Sequence, residues 1–139
     1  MEQESKIMRN LELLLDHEYY FELITVAKKH IKINPKSENL NFILGVAYAR
    51  NGEPKRAHRQ FKLVVNLSKG KNHAAFNNLI TSSFEIGDTK LALLLAELAI
   101  SQNKFNKVDF EILTKNLLHA IKKDIIQYND LPDAIKDFF

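Results

Sequence analysis

Residues 44–61 read LGVAYARNGEPKRAHRQF, and within this polar stretch Leu44, Gly45, Tyr48, Gly52, Ala57 and Phe61 hold spacings that a loop does not explain. Gly52 followed by Pro54 marks a helix end, a tight turn and a helix start. Glycine tolerates the positive φ of a helix stop, and proline loses nothing in a first helical turn. Gly45 and Ala57 then fall on the two flanking helices, where small side chains let the helices cross closely, Gly45 against Ala57. Tyr48 and Phe61 fill the space beside the crossing, each contributing roughly 1.5–3 kcal/mol by burial.

The same spacing returns along the chain. Gly87 lies 35 residues after Gly52, Ala92 lies 35 after Ala57, and Leu79 lies 35 after Leu44. A step of 34 back from Ala57 and Phe61 reaches Leu23 and Ala27 in EYYFELITVAKKHIKINP, a worn copy of the same unit. These residues resemble the tetratricopeptide repeat, whose pattern places a small residue after a leucine, then tyrosine, glycine, alanine and phenylalanine. Residues 38–71 match best, through Leu44, Gly45, Tyr48, Gly52, Ala57 and Phe61. Residues 73–106 keep Phe76, Leu79, Gly87, Ala92 and Ala99 but depart at Ile80, Ser83 and Ala96. Residues 4–37 keep mainly Leu23, Ala27, Asn34 and Pro35, with Glu18 where glycine is expected.

The resemblance implies an all-α protein, one domain over residues 1–139, built as a right-handed superhelical stack of three helical hairpins with a C-terminal capping helix. The expected helices span about 4–15, 19–33, 38–50, 54–67, 73–86 and 89–102, with the cap at about 109–127. Phe110, Leu113, Leu117, Ile121 and Ile125 form the apolar stripe of the cap. The tail, 130–139, adds a short helical turn, and its closing Phe138 and Phe139 need burial on the cap, in a neighbour, or in the protein's own groove.

Composition narrows the function. The chain has 139 residues, 45% hydrophobic and 27% charged, as expected of one globular domain. The absence of cysteine excludes a disulfide framework, a thiolate nucleophile and a cysteine zinc site. The acidic opening MEQES and the lack of any run approaching about 18 apolar residues argue against an export signal and a membrane span, which places the expected location in the cytoplasm. His17, His30, His58, His73 and His119 are scattered, are expected on helix surfaces, and build neither an HExxH pair nor a ligand cluster. No GxxxxGK[ST], GxGxxG or GxSxG occurs, so no catalytic residue, metal ligand or cofactor site is read, and the expectation is a protein that is not an enzyme.

What remains is surface. In the resembled family the first helix of each hairpin lines a concave groove. Its wall positions carry over to Met8, Arg9, Glu12 and Leu15, to Asn39, Phe42, Ile43, Val46, Ala49 and Arg50, and to Asn77, Asn78, Thr81, Phe84 and Glu85. The wall is mostly apolar with a few amides, which suits an apolar peptide or an amphipathic helix of another protein. Some members clamp a partner's C-terminal carboxylate with lysine, asparagine and arginine. Met8, Glu12, Ile43, Ala74 and Asn78 stand at those positions here, so that clamp is missing.

Between Arg50 and Lys71 there are seven basic residues and one acid, in a chain whose net charge is +3, and Lys55, Arg59 and Lys62 align on one helix face. Without interleaved aromatics this stripe reads as a solvated outer face more than as a nucleic-acid contact. The expected function is a protein-interaction module, a chaperone or adaptor resembling the small helical-repeat chaperones of type III secretion. The alternatives are a structural subunit of a larger assembly and, less favoured, nucleic-acid association through the basic segment 50–71. The oligomeric state stays open, a homodimer included.

Overall fold

The computed structural model describes residues 2–102, 107–124, 126–131 and 133–136. Among these there is no strand. The helices are α1 (Glu2–Asp16), α2 (Tyr20–Ile33), α3 (Glu38–Arg50), α4 (Pro54–Leu67), α5 (His73–Glu85), α6 (Thr89–Ser101), α7 (Lys107–Lys122) and α8 (Asp133–Lys136), with a 3₁₀ turn at Tyr128–Asp130 before α8. They gather into two compact units, residues 1–69 and residues 70–139.

In the first unit α1 packs on α2, α2 on α3, α3 on α4, and α1 on α3. Its core is Leu11, Leu23, Ala27, Leu40, Ile43, Leu44, Ala47, Tyr48, Ala57, Phe61 and Val64. The crossing of α3 and α4 is as close as the small residue at 45 requires, but its partner differs from the expected Ala57. A Cβ added to Gly45 would stand 2.8 Å from Phe61 Cε1, 3.0 Å from Phe61 Cδ1 and 3.2 Å from the Gln60 Cβ. The bare face of Gly45 is therefore the seat of the Phe61 ring.

The hairpin turns repeat atom for atom. After α3, the Gly52 N–H donates to the Ala49 carbonyl at 3.2 Å and the Glu53 N–H to the Tyr48 carbonyl at 2.9 Å, with Gly52 at φ 74°. After α5, Gly87 donates to Phe84 at 3.1 Å and Asp88 to Ser83 at 2.8 Å, with Gly87 at φ 86°. After α1, Glu18 donates to Leu15 at 3.0 Å and Tyr19 to Leu14 at 2.8 Å, with Glu18 at φ 63°. All three are the paired 6→1 and 5→2 closure of a helix that ends in a left-handed residue. The first hairpin obtains it with a glutamate.

The start of α3 is fixed by side chains. Ser37 caps it, accepting from the Leu40 N–H at 3.2 Å, while its hydroxyl donates to the Glu4 carboxylate on α1. Buried Asn41 donates to the Pro35 carbonyl at 3.0 Å and to the Ser37 carbonyl at 2.8 Å, which secures the α2–α3 turn.

In the second unit α5 packs on α6 and on α7, and α6 packs on α8. Asn72 and Asp88 cap α5 and α6 through the Ala75 and Leu91 N–H groups. Ser83, in the tyrosine slot of the repeat, is fully buried, and its hydroxyl donates to the Leu79 carbonyl at 2.7 Å. The cap is shorter than expected. It stops at Lys122 because Asp124 turns to φ 56° and donates to the Ile121 carbonyl at 3.0 Å. The chain beyond returns Ile126 and Leu131 to the core. Leu113, Leu117 and Ala120 are the buried stripe of α7, and the expected turn of the tail is α8. The side chain of Phe110, and Ile125, Phe138 and Phe139 altogether, lie outside the described residues.

Candidate protein-binding surfaces

Helix α3 buries Leu40, Asn41, Ile43, Leu44, Gly45, Ala47 and Tyr48. What it leaves unburied is exposed Glu38, Asn39, Ala49 and Arg50 with half-buried Phe42 and Val46 between them, at three-to-four spacing along one face. Five of the six wall positions expected on this helix therefore form its open stripe, and Ile43, 4% exposed, belongs to the core. Phe42 is half-buried, its ring tilted 58° against Phe61 with centroids 5.9 Å apart. That contact rests the ring against the α3–α4 crossing. On α1, which packs beside α3, Met8 and Leu15 are half-buried while Arg9 and Glu12 are exposed.

On α5 of the second unit the expected set divides. Asn78 is half-buried and donates to the Ala74 carbonyl at 2.9 Å. The half-buried Thr81 donates to the Asn77 carbonyl at 3.2 Å and accepts from the Asn116 amide of α7 at 2.7 Å. Asn77 and Phe84 are 5% and 7% exposed. They share a face with fully buried Ile80, three and four residues away, so their side chains point into the unit. Exposed Glu85 ends α5, and partial burial raises its carboxyl above the usual range.

Lys55, Arg59 and Lys62 are all exposed on α4, opposite the buried face of Ala57, His58, Phe61 and Val64. His58 corrects the expectation that every histidine lies on a surface, because it sits one residue from Ala57 and three from Phe61 on the inward side. Among the described residues no group of histidines and carboxylates could hold a metal ion, and no helix is long and apolar enough to cross a membrane.

The sequence reading missed the basic face of α2. Lys28, Lys29 and Lys32 line a groove of about 860 Å³ with residues of α3 and α4. The signal was the run KKHIK in the worn first repeat, where attention to the repeat positions obscured the charge between them.

Neither a protein-family model nor a curated protein matches this sequence. Among solved structures, the crystal structure of the Sgt2 TPR domain from Aspergillus fumigatus matches with a TM-score of 0.73 at 17% identity, over 89% of this chain and 83% of that one. At that identity the likeness concerns the fold, and the fold is that of a tetratricopeptide-repeat domain.

Proposed function

We propose that this chain is a protein-binding module of the cytoplasm, serving as a chaperone or adaptor, which holds an apolar peptide or amphipathic segment of a partner. The binding surface is the open face of α1 and α3: Met8 and Glu12, then Asn39, Phe42, Val46, Ala49 and Arg50. The observation that carries the reading is this stripe on α3. Apolar side chains stay open at helical spacing on a helix whose other face is fully packed, and Asn39 and Arg50 give its ends polar groups that fix register. The second unit carries its own polar groups on α5, Asn78 and Thr81, as a separate candidate surface. Asn77 and Phe84 act through the packing of α5. The Sgt2 TPR domain shares the fold, which supports the class of function but names no partner.

The test is a pull-down from the native cell read by mass spectrometry, comparing the unaltered chain with Val46→Asp/Ala49→Asp. Ala49 is exposed and Val46 half-buried, and thermal unfolding of the variant is expected to stay cooperative, with Ala49→Asp alone as the second variant should Val46→Asp disturb the fold. A partner held by the unaltered chain and lost by the variant is the expected result. Identical partners for both chains would remove α3 from the binding surface.

A further inference from the structure

The groove that α2, the end of α3 and α4 enclose is a second surface with different chemistry. It measures about 860 Å³, and Phe21, Ile24 and Tyr48 give it apolar walls. Phe21 is 75% exposed, a large ring left in water at the rim. Lys28, Lys29, Lys32 and Arg56 stand around it against the single carboxylate of Glu53. An adjoining lobe of about 340 Å³ shares Lys28, Tyr48, Arg56 and Gln60 and adds Arg59. Among the described residues the one ion pair is Arg56 with Glu53, at 3.2 Å, and the same guanidinium lies 5.9 Å from the centre of the Tyr48 ring. Lys28, Lys29, Lys32 and Arg59 thus carry charge that no carboxylate answers. Gln60, which lines both lobes, has a buried side-chain oxygen with no hydrogen-bond donor.

We infer that this groove docks an acidic segment of a partner protein that carries an aromatic or aliphatic anchor. Charge complementarity sets the sign: lysines spaced four apart on α2 and arginines on α4 flank the groove, so carboxylates on both sides of an inserted side chain meet a cation. The apolar walls set the anchor, since a volume of this size accepts several side chains and gains from drying Phe21 and Ile24. A nucleic acid would use the cations and stack a base on Phe21 but leave the aliphatic wall of Ile24 and Ile31 unanswered, which is why a polypeptide is favoured.

The full chain is titrated by fluorescence anisotropy, at low and moderate salt, with a labelled glutamate-rich peptide bearing one Phe and one Leu. The comparison probes are a glutamate-only peptide, the lysine-rich counterpart and a labelled single-stranded oligonucleotide. The Glu/Phe/Leu peptide is expected to bind best, with affinity reduced at least about tenfold in Lys28→Glu/Lys32→Glu and several-fold in Phe21→Ser. These positions are exposed, so the melting transition of each variant is expected to match the unaltered chain. The inference is overturned if that peptide does not bind, if the charge-reversed variant binds it equally, if the glutamate-only peptide binds as tightly, or if the oligonucleotide is preferred. Because none of the substituted residues lies on the open stripe of α3, loss of the stripe's partner and loss of this binding are separable.

Discussion

At the crossing of α3 and α4 the first helix is bare and the second fills the gap: Gly45 has no side chain and Phe61 lays its ring within 2.8 Å of where one would begin. At α5 and α6 the slots 35 residues later hold Ile80 and Ala96, both fully buried, so the bulk sits on the first helix and the second is small. The neighbouring slot changes with them, from the buried ring of Tyr48 to Ser83, whose hydroxyl is satisfied within its own helix. Two of the departures, Ile80 and Ala96, are one redistribution of volume between helices, whereas Ser83 gives up a ring and satisfies its hydroxyl locally. What the repeat fixes is the filled space at the crossing, and which helix supplies it is free to differ between hairpins.

The comparison can be broken most forcefully at Phe61. Phe61→Ala empties the α3–α4 crossing and removes the support of Phe42, and is expected to cost about 3–5 kcal/mol in denaturant unfolding. A cost below about 1 kcal/mol would show that this ring does not fill the gap. Next comes the exchange itself. Ala96→Phe alone puts a second bulky group into a filled crossing and should cost about 3 kcal/mol, whereas Ile80→Gly/Ala96→Phe restores the α3–α4 arrangement. A double-mutant cycle is expected to show a favourable coupling of at least about 1 kcal/mol, and strict additivity would dissolve the comparison.

Gly45→Ala is a smaller intrusion. Its methyl would press on a buried ring that cannot swing away, for an expected loss of about 1–2 kcal/mol despite the better helix propensity of alanine. The smallest effect concerns the first hairpin, which has the turn of the other two without their glycine. Glu18→Gly should raise stability by about 0.5–1 kcal/mol, by removing the strain of a side chain at φ 63°, and a drop in melting temperature would count against the shared turn geometry.

Much of this architecture was legible because it rests on local signals. Gly52, Gly87 and Pro54 state where helices stop and start, and six of the expected helices appear within about two residues of their places. The end of α7 was not legible. The stripe through Ile121 and Ile125 runs on in the sequence, while Asp124 ends the helix by taking a left-handed conformation that its short polar side chain tolerates but does not announce, and Ile126 takes the buried place. The candidate surface was partly legible. Phe42, Val46 and Ala49 follow from the periodicity of α3. The burial of Asn77 and Phe84 depends on how α5 rotates within its unit, which a repeat pattern transferred slot by slot does not specify once its crossing residues have been exchanged. The groove beside α2 requires two helices one hairpin apart to be seen side by side, and periodicity within either helix carries no trace of it.

Each helix in these units packs chiefly on the next one along or the next but one. Few residues separate partners, so little chain entropy is lost in bringing them together, and folding is expected on the scale of about microseconds to milliseconds. The first four helices hold a core of their own. A nascent chain can therefore close its first half while the second is still being translated.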